Sequence, residues 1–172
     1  QHVSNRDRLK EIKAGLATCK EQFQAIPVNQ EDKPLIGVVG EIFCRLNTFS
    51  NNDLIRHIEA QGGECWLTGI GEWVLYTNEE AFRRHREEKT RFGKEWLKTY
   101  ITTRIMHKDE HALYKDFENM FAKRPEPGVP EVLESAHPYL PQEGALGEMV
   151  LSTGGAISYY RRGADGIVDL SP

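Results

Sequence analysis

The sequence lacks the signals that most directly assign a chain to a membrane, an oxidising compartment or a metal-stabilised fold. It holds three cysteines, and no pair of them has CxxC spacing, so neither a disulfide framework nor a self-contained zinc knuckle is predicted. No run approaches the roughly 20 apolar residues of a membrane span, and the opening residues QHVSNRDRLKE have no apolar signal core. We therefore expect a cytoplasmic protein with no membrane partner.

The chain also lacks an excess of positive charge and the glycine-rich motifs of nucleotide sites. Its 22 Lys and Arg residues are outnumbered by 26 Asp and Glu residues, whereas nucleic-acid binding needs a concentrated cationic surface. Neither GxGxxG nor GxxxxGKS/T follows the first apolar run, so the sequence gives no support for a dinucleotide motif or a P-loop. The predicted partners are proteins or small molecules, with no nucleic acid.

The most informative stretch that is present is KPLIGVVGEIFCRLNTFSNN, residues 33–52. Its apolar run has no polar alternation, which predicts a strand covered on both faces, as in a parallel sheet flanked by helices. Ligand crevices in such sheets lie at the carboxyl ends of the strands. An asparagine-rich loop follows, then a helix N-terminus near Asn51, where Arg45 and free N–H groups are predicted to receive a phosphate or carboxylate. The candidate ligand-binding residues are Glu41, Arg45, Asn47, Ser50 and Asn51.

Structural interpretations compete with the functional ones along this stretch. Gly37 and Gly40 fit a close approach of a helix to the strand, and Asn47 and Asn51 fit turn and cap positions. Cys44 follows the strand into the crevice, which makes it a candidate metal or cluster ligand. A small apolar packing residue is the simpler interpretation of that cysteine.

Apolar residues at helical spacing predict an amphipathic helix over residues 5–24, ahead of the first strand. Beyond the strand, Ser50-x-x-Asp53 resembles a capping box, so a helix is predicted from there to Gln61. Residues 64–68 are predicted to form a second strand. Together these elements form a βαβ unit of ordinary size, which should cross over right-handedly.

The rest of the chain predicts more helices and one further strand. Residues 77–123 show only helical signals, dense charge and widely spaced aromatics, which predicts a helical insertion after strand two. A helix over residues 147–162 then leads into a last strand, GIVDL, at 166–170. The predicted fold class is α/β: a Rossmann-like, three-layer domain with a small parallel sheet, made by the whole chain as a single domain. We also expect the chain to be part of a longer protein, because no initiator methionine is present and no helix follows the last strand.

The segment His107-Lys108-Asp109-Glu110-His111 matches HxxEH. In that pattern two histidines hold zinc and the glutamate activates water. A solvated, highly charged helical face explains the same letters, and no clear third ligand helix follows before the proline-rich stretch RPEPGVP. A zinc hydrolase is one alternative function.

Three segments carry a family resemblance: KPLIGVVGEIFCRLNTFSNNDLIRHIEAQGGECWL, the GEW at residues 71–73, and AHPYLPQEGALGEMVLSTGGAISYYRRGADGIVDLSP. Together they resemble the 2-hydroxyacyl-CoA dehydratase (2-hydroxyglutaryl-CoA dehydratase component) family and the related acyl-CoA dehydratase activase-related proteins. The likeness covers residues 33–172, and the central helical part matches only in character.

This resemblance implies a Rossmann-like domain of an oxygen-sensitive iron–sulfur protein of anaerobic metabolism. It implies a [4Fe-4S] cluster in the full-length protein, an ATP-dependent activator protein as partner, and acyl-CoA as ligand; catalytic members eliminate water from 2-hydroxyacyl-CoA, and related members are CoA-substrate-specific activases. The family's PFgCmP segment and its several cluster cysteines are not in this chain. The chain alone is therefore not expected to be catalytic, and no ligand role carries over to Cys44.

Two functional hypotheses stand beside the zinc hydrolase. The leading one is that the chain is a domain of a dehydratase-like or activase-related iron–sulfur protein and forms a wall of an acyl-CoA or cluster site. The other is a non-catalytic interaction module, in which the helical insertion docks a partner subunit.

Overall fold

A computed structural model describes residues 5–28, 31–90, 93–122, 124–141 and 147–171. Its strands are β1 (Leu35–Gly40), β2 (Glu64–Leu67) and β3 (Gly166–Leu170). Its helices are α1 (Asn5–Gln24), α2 (Ile42–Leu46), α3 (Leu54–Ala60), α4 (Gly71–Glu87), α5 (Lys94–Tyr114), α6 (Glu118–Phe121), α7 (Val129–Ala136) and α8 (Glu148–Arg161), with a 3-10 turn at Lys115–Phe117. The five residues 142–146 of the third resembling segment, and its last residue, lie outside the described residues.

The described residues fall into two compact units. One unit comes from residues 1–31 and 81–125, and the other from residues 32–80 and 126–172. The single-domain organisation of the chain stays a prediction.

The second unit contains a three-stranded parallel sheet with strand order β2-β1-β3. The central strand β1 pairs with both neighbours, so that Gly37 lies opposite Trp66 on one side and Ile167 on the other. A central parallel strand is covered on both faces, which explains its apolar run without alternation. The predicted α/β fold class is confirmed.

Helices pack on both faces of this sheet. Successive strand residues point to opposite faces, and a Cβ on Gly37 would lie 2.8 Å from the ring of Tyr159 in α8. Trp66 stacks on the same tyrosine, with ring centroids 4.4 Å apart. On the other face, a Cβ on Gly63 would meet Ile58 of α3 and Ile36 of β1. The interpretation of Gly37 as a point of close helix approach is confirmed.

A second core cluster joins α4, α7 and α8. Its buried members are Tyr76, Val129, Val132 and Leu151. Helices α7 and α8 approach closely at Gly154, where an added Cβ would lie 2.0 Å from the carbonyl oxygen of Val132. This contact fixes the position of α8 and hence of its first residues, which reach the candidate site described below.

Three sequence predictions near the sheet are wrong. Residues 42–46, predicted as loop, form the short helix α2. The capping box at Ser50 and Asp53 does not form, because Asp53 adopts a left-handed backbone (φ 53°) and its side chain makes no cap hydrogen bond with α3. Helical structure also begins at Gly71 and not at residue 77, since Trp73 and Tyr76 anchor the first turns of α4 in the second core cluster.

The regular elements among the described residues of the first unit are all helices. The predicted helix over residues 5–24 is confirmed as α1, whose Lys20 ammonium donates to the carbonyl of Asp116. Trp96 stacks on Tyr100 within α5, with ring centroids 5.4 Å apart, and makes a T-shaped contact with the ring of Phe82. None of the helices among the described residues combines the length and the apolar character needed to cross a bilayer.

Candidate functional site

A cavity of about 620 Å³ opens at the carboxyl end of β1, within the second unit. This volume falls in the range of small-molecule sites, and the position is the one where parallel sheets bind ligands. We call it the β1 groove. Its lining residues are Glu41, Ile42, Phe43, Leu46, Asn47, Ile70, Trp73 and Glu148.

The chain turns into the groove at Gly40. This residue has a φ of +115°, and a Cβ there would lie 2.2 Å from the carbonyl oxygen of Leu170 in β3. Glycine is the residue that both the left-handed backbone and the close strand contact allow. The next N–H, of Glu41, still donates to the Leu170 carbonyl at 2.8 Å, and α2 begins immediately afterwards.

The first turn of α2 is capped by two carboxylates of the protein itself. Oε2 of Glu41, the N-cap residue, accepts from the N–H of Cys44 at 2.8 Å. Oε2 of Glu148, at the start of α8, accepts from the N–H of Ile42 at 3.0 Å. The backbone N–H groups of Cys44 and Phe43 lower the pKa of the Glu41 carboxyl, so it is charged at neutral pH. The N–H groups of Ile42 and Cys44 therefore already donate to side chains of the protein. The two carboxylates that accept them make the groove rim acidic.

The groove wall between the carboxylates is apolar and open to solvent. Phe43 is 61% exposed, and Leu46 and Ile70 are also largely exposed. Trp73 is anchored from behind, since its ring contacts that of Tyr76 with centroids 5.7 Å apart. A preformed apolar wall with a few polar groups at its edge is typical of sites for small apolar ligands.

Arg45 does not lie in the groove. Its side chain is 4% exposed, and Nη1 donates to the carbonyl of Thr68, just past β2, at 2.9 Å. Its Nε is buried without a hydrogen-bond partner among the described residues. The structure therefore places the predicted anion-binding arginine inside the unit, where it ties α2 to the end of β2.

A charged cluster that the sequence interpretation missed surrounds Arg45. Burial raises the pKa of Glu72, at the start of α4, to about 7, although Arg45 lowers it and Glu126 raises it further. Glu126 reaches the same region, since its Oε1 lies 2.7 Å from the position of a Cβ on Gly69. Burial also raises the pKa of Tyr159 to about 12. The sequence signal for this cluster was Glu72, which belongs to the GEW segment at residues 71–73.

The asparagine-rich loop has mainly a structural role. Oδ1 of Asn47 accepts from the N–H of Ser50 at 3.0 Å, and Nδ2 of Asn51 donates to the carbonyls of Cys44 and Arg45, each at 3.0 Å. The turn and cap interpretation of these asparagines is confirmed. Helix α3 begins at Leu54, whose N–H donates to Oδ1 of Asn51 at 3.3 Å, so the predicted helix N-terminus near Asn51 is confirmed. Of the five predicted site residues, the groove brings together Glu41 and Asn47.

The described residues do not by themselves supply a metal or cluster site. Among them, no three His, Cys, Asp or Glu side chains converge to hold a metal ion. Burial raises the pKa of the Cys44 thiol, and the carboxylates of Glu41 and Glu148 raise it further, whereas a metal ligand needs the thiolate. On α5, His107 and Glu110 lie 3.5 Å apart on an exposed face, with no third ligand among the described residues.

Fold and groove together define the class: an α/β domain with a three-stranded parallel sheet and an open, apolar groove with an acidic rim at the end of its central strand. Comparisons with protein-family models, with curated proteins and with solved structures returned no match for this chain.

Proposed function

We propose that this chain is a domain of a 2-hydroxyacyl-CoA dehydratase-like or CoA-substrate-specific activase-related iron–sulfur protein, and that the β1 groove forms one wall of its acyl-CoA site. The observation that supports this proposal is the origin of the groove residues. Seven of the eight belong to the three segments that resemble the family, and Ile70 is the exception. Segments far apart in the chain thus converge on one concave surface.

The chemistry of the wall suits the acyl end of such a ligand. The exposed side chains of Phe43, Leu46 and Ile70 offer apolar surface that an acyl chain and the adjoining pantetheine arm cover. Arg45 acts as a positioning residue: its bond to Thr68 holds α2, which carries Phe43. The cluster, the electron from the ATP-dependent activator and the elimination of water are properties that the resemblance implies for the whole protein.

Phe43→Ala weakens acyl-CoA binding about tenfold, because loss of the ring removes an apolar contact worth roughly 1–2 kcal/mol. Isothermal titration of the chain with pentanoyl-CoA, with unacylated CoA as reference, measures the effect. Phe43 is 61% exposed, so its truncation should leave the thermal unfolding midpoint nearly unchanged.

Phe49→Ala is the matched control for this experiment. Phe49 follows α2 in the same segment and is 94% exposed, but it does not line the groove. We expect this variant to bind pentanoyl-CoA as the parent chain does. Equal weakening by both substitutions, or no saturable binding by the parent chain, contradicts the proposed acyl-CoA wall.

A second candidate function rests on a separate surface, the exposed face of α5. Leu97, Ile101 and Ile105 are spaced four residues apart, so they share one helix face, and each is about half exposed. A cavity of about 550 Å³ on this face is flanked by Arg104 and Lys108. An apolar stripe beside cations favours docking of a protein segment with apolar and acidic side chains, such as one on the activator.

Ile101→Asp abolishes binding to the ATP-dependent activator protein if that protein docks on α5, since a carboxylate would be desolvated at the centre of the contact. Biolayer interferometry with the purified activator measures this binding, and Phe43→Ala serves as the control that leaves it intact. Parent-like binding by Ile101→Asp rules out this face as the docking site.

A further inference from the structure

The rim of the β1 groove carries charge of one sign. Glu41 and Glu148 contribute a carboxylate each, and the other residues that line the groove contain no Lys, Arg or His. Each carboxylate accepts one described backbone N–H through Oε2. Such a bond fixes the carboxylate in place and leaves its negative charge on the rim.

We propose that the β1 groove accepts neutral, apolar acyl groups and rejects acyl groups that end in a carboxylate, with Glu41 and Glu148 as the specificity-determining residues. This inference rests on the proposed acyl-CoA function and names the substrate class of the same site. A carboxylate brought beside two fixed carboxylates meets repulsion, which is felt strongly at short range next to an apolar wall. A terminal methyl group meets only the apolar wall and avoids that repulsion.

The Arg45 cation does not neutralise the acidic rim at the groove surface. Arg45 contributes to lowering the pKa of Glu41, but its guanidinium is buried and donates to the carbonyl of Thr68. It is therefore not available to pair with a ligand carboxylate. The strongest effects on the pKa of Glu41 come from the N–H groups of Cys44 and Phe43, which keep its carboxyl in the charged form.

Pentanoyl-CoA and glutaryl-CoA provide the test, because both have a five-carbon acyl chain. That of pentanoyl-CoA ends in a methyl group, and that of glutaryl-CoA ends in a carboxylate. We expect pentanoyl-CoA to bind the chain about tenfold more tightly in low-salt isothermal titration. Glu148→Gln and Glu41→Gln should each narrow that ratio to about threefold. Glutamine keeps an acceptor oxygen for the N–H of α2, so the substitution changes the charge and preserves the cap.

Glu59→Gln is the control for the loss of one negative charge. Glu59 is exposed on α3 and does not line the groove, so its substitution should leave the ratio at its parent value. If glutaryl-CoA binds as tightly as pentanoyl-CoA, or if neither groove variant changes the ratio, the selectivity is overturned while the acyl-CoA wall stands. If neither ligand binds, the proposed function fails and the selectivity fails with it.

Discussion

Gly154→Ala lowers the free energy of unfolding by about 3 kcal/mol or more. The new Cβ would lie 2.0 Å from the carbonyl oxygen of Val132 and 2.8 Å from its carbonyl carbon. Both are backbone atoms of α7, so the clash cannot be relieved by rotating a side chain. Helices α7 and α8 must instead move apart, at the expense of the core that Val132 and Leu151 share.

Gly155→Ala is the matched control, because it adds the same methyl group one residue further along α8. Its Cβ would lie 3.3 Å from Cγ1 of Val39, a contact that a small side-chain movement relieves. The higher helix propensity of alanine offsets part of that cost, so we expect a net change below about 1 kcal/mol. Urea denaturation followed by circular dichroism measures both variants. Equal stability of the two would show that α7 and α8 are not in close contact at Gly154.

Gly154→Ala should also weaken the binding of acyl-CoA in the β1 groove. Glu148 begins the helix that carries Gly154, and its carboxylate holds the N–H of Ile42 at the start of α2. Movement of α8 would therefore release one edge of the groove. At a temperature where Gly154→Ala is still folded, its binding of pentanoyl-CoA should be weaker than that of Gly155→Ala.

The parent chain loses stability as the pH rises from about 4.5 to about 7, because Glu72 becomes charged while partly buried. We expect Glu72→Gln to be free of this contribution. Burial raises the pKa of Glu72 from 4.5 to about 7 in the folded state. In that interval the folded chain keeps a proton that the unfolded chain has already released, so the free energy of unfolding falls as the pH rises. Above about pH 7 the folded chain holds a charged, partly buried carboxylate, and the loss is complete.

The difference in unfolding free energy between Glu72→Gln and the parent chain isolates this group from all other carboxyls. We expect this difference to be near zero at pH 4.5 and to reach on the order of 2 kcal/mol in favour of the variant at pH 8. The value corresponds to the shift of about 2.5 pKa units, reduced because the carboxylate is partly screened by solvent. Urea denaturation across this pH range measures it. Glu59→Gln, an exposed change on α3, should show no such trend. A constant difference across the range would place Glu72 in contact with solvent.

Much of the sheet could be predicted from the sequence, because its signals are local. The apolar run Leu35 to Val39 has no polar alternation, and a strand covered on both faces makes that pattern favourable. Gly62 and Gly63 mark the stop between α3 and β2, and Gly62 does have the positive φ, +87°, that such a stop requires. The apolar spacing of residues 5–24 likewise sufficed for α1.

The groove could not be predicted to the same extent, because distant parts of the chain hold it together. Helix α2 has five residues, too few to be stable alone. The first turn of α2 donates an N–H to the carboxylate of Glu148, which is 106 residues away in the chain. The Arg45 side chain of α2 donates to the carbonyl of Thr68, which is 23 residues away. The sequence placed Arg45 at the rim because it follows the carboxyl end of β1, where parallel sheets bind ligands.

The sequence by itself determined the α/β class, the central strand and the end of that strand as the place to look for a site, since these depend on hydrophobic pattern and backbone freedom over a few residues. The tertiary structure decided which side chains share the groove, that Arg45 is buried, and that the rim is acidic. The physical reason is that burial, pairing and pKa depend on contacts between segments such as α2 and α8, and no local pattern specifies which distant residue a side chain meets.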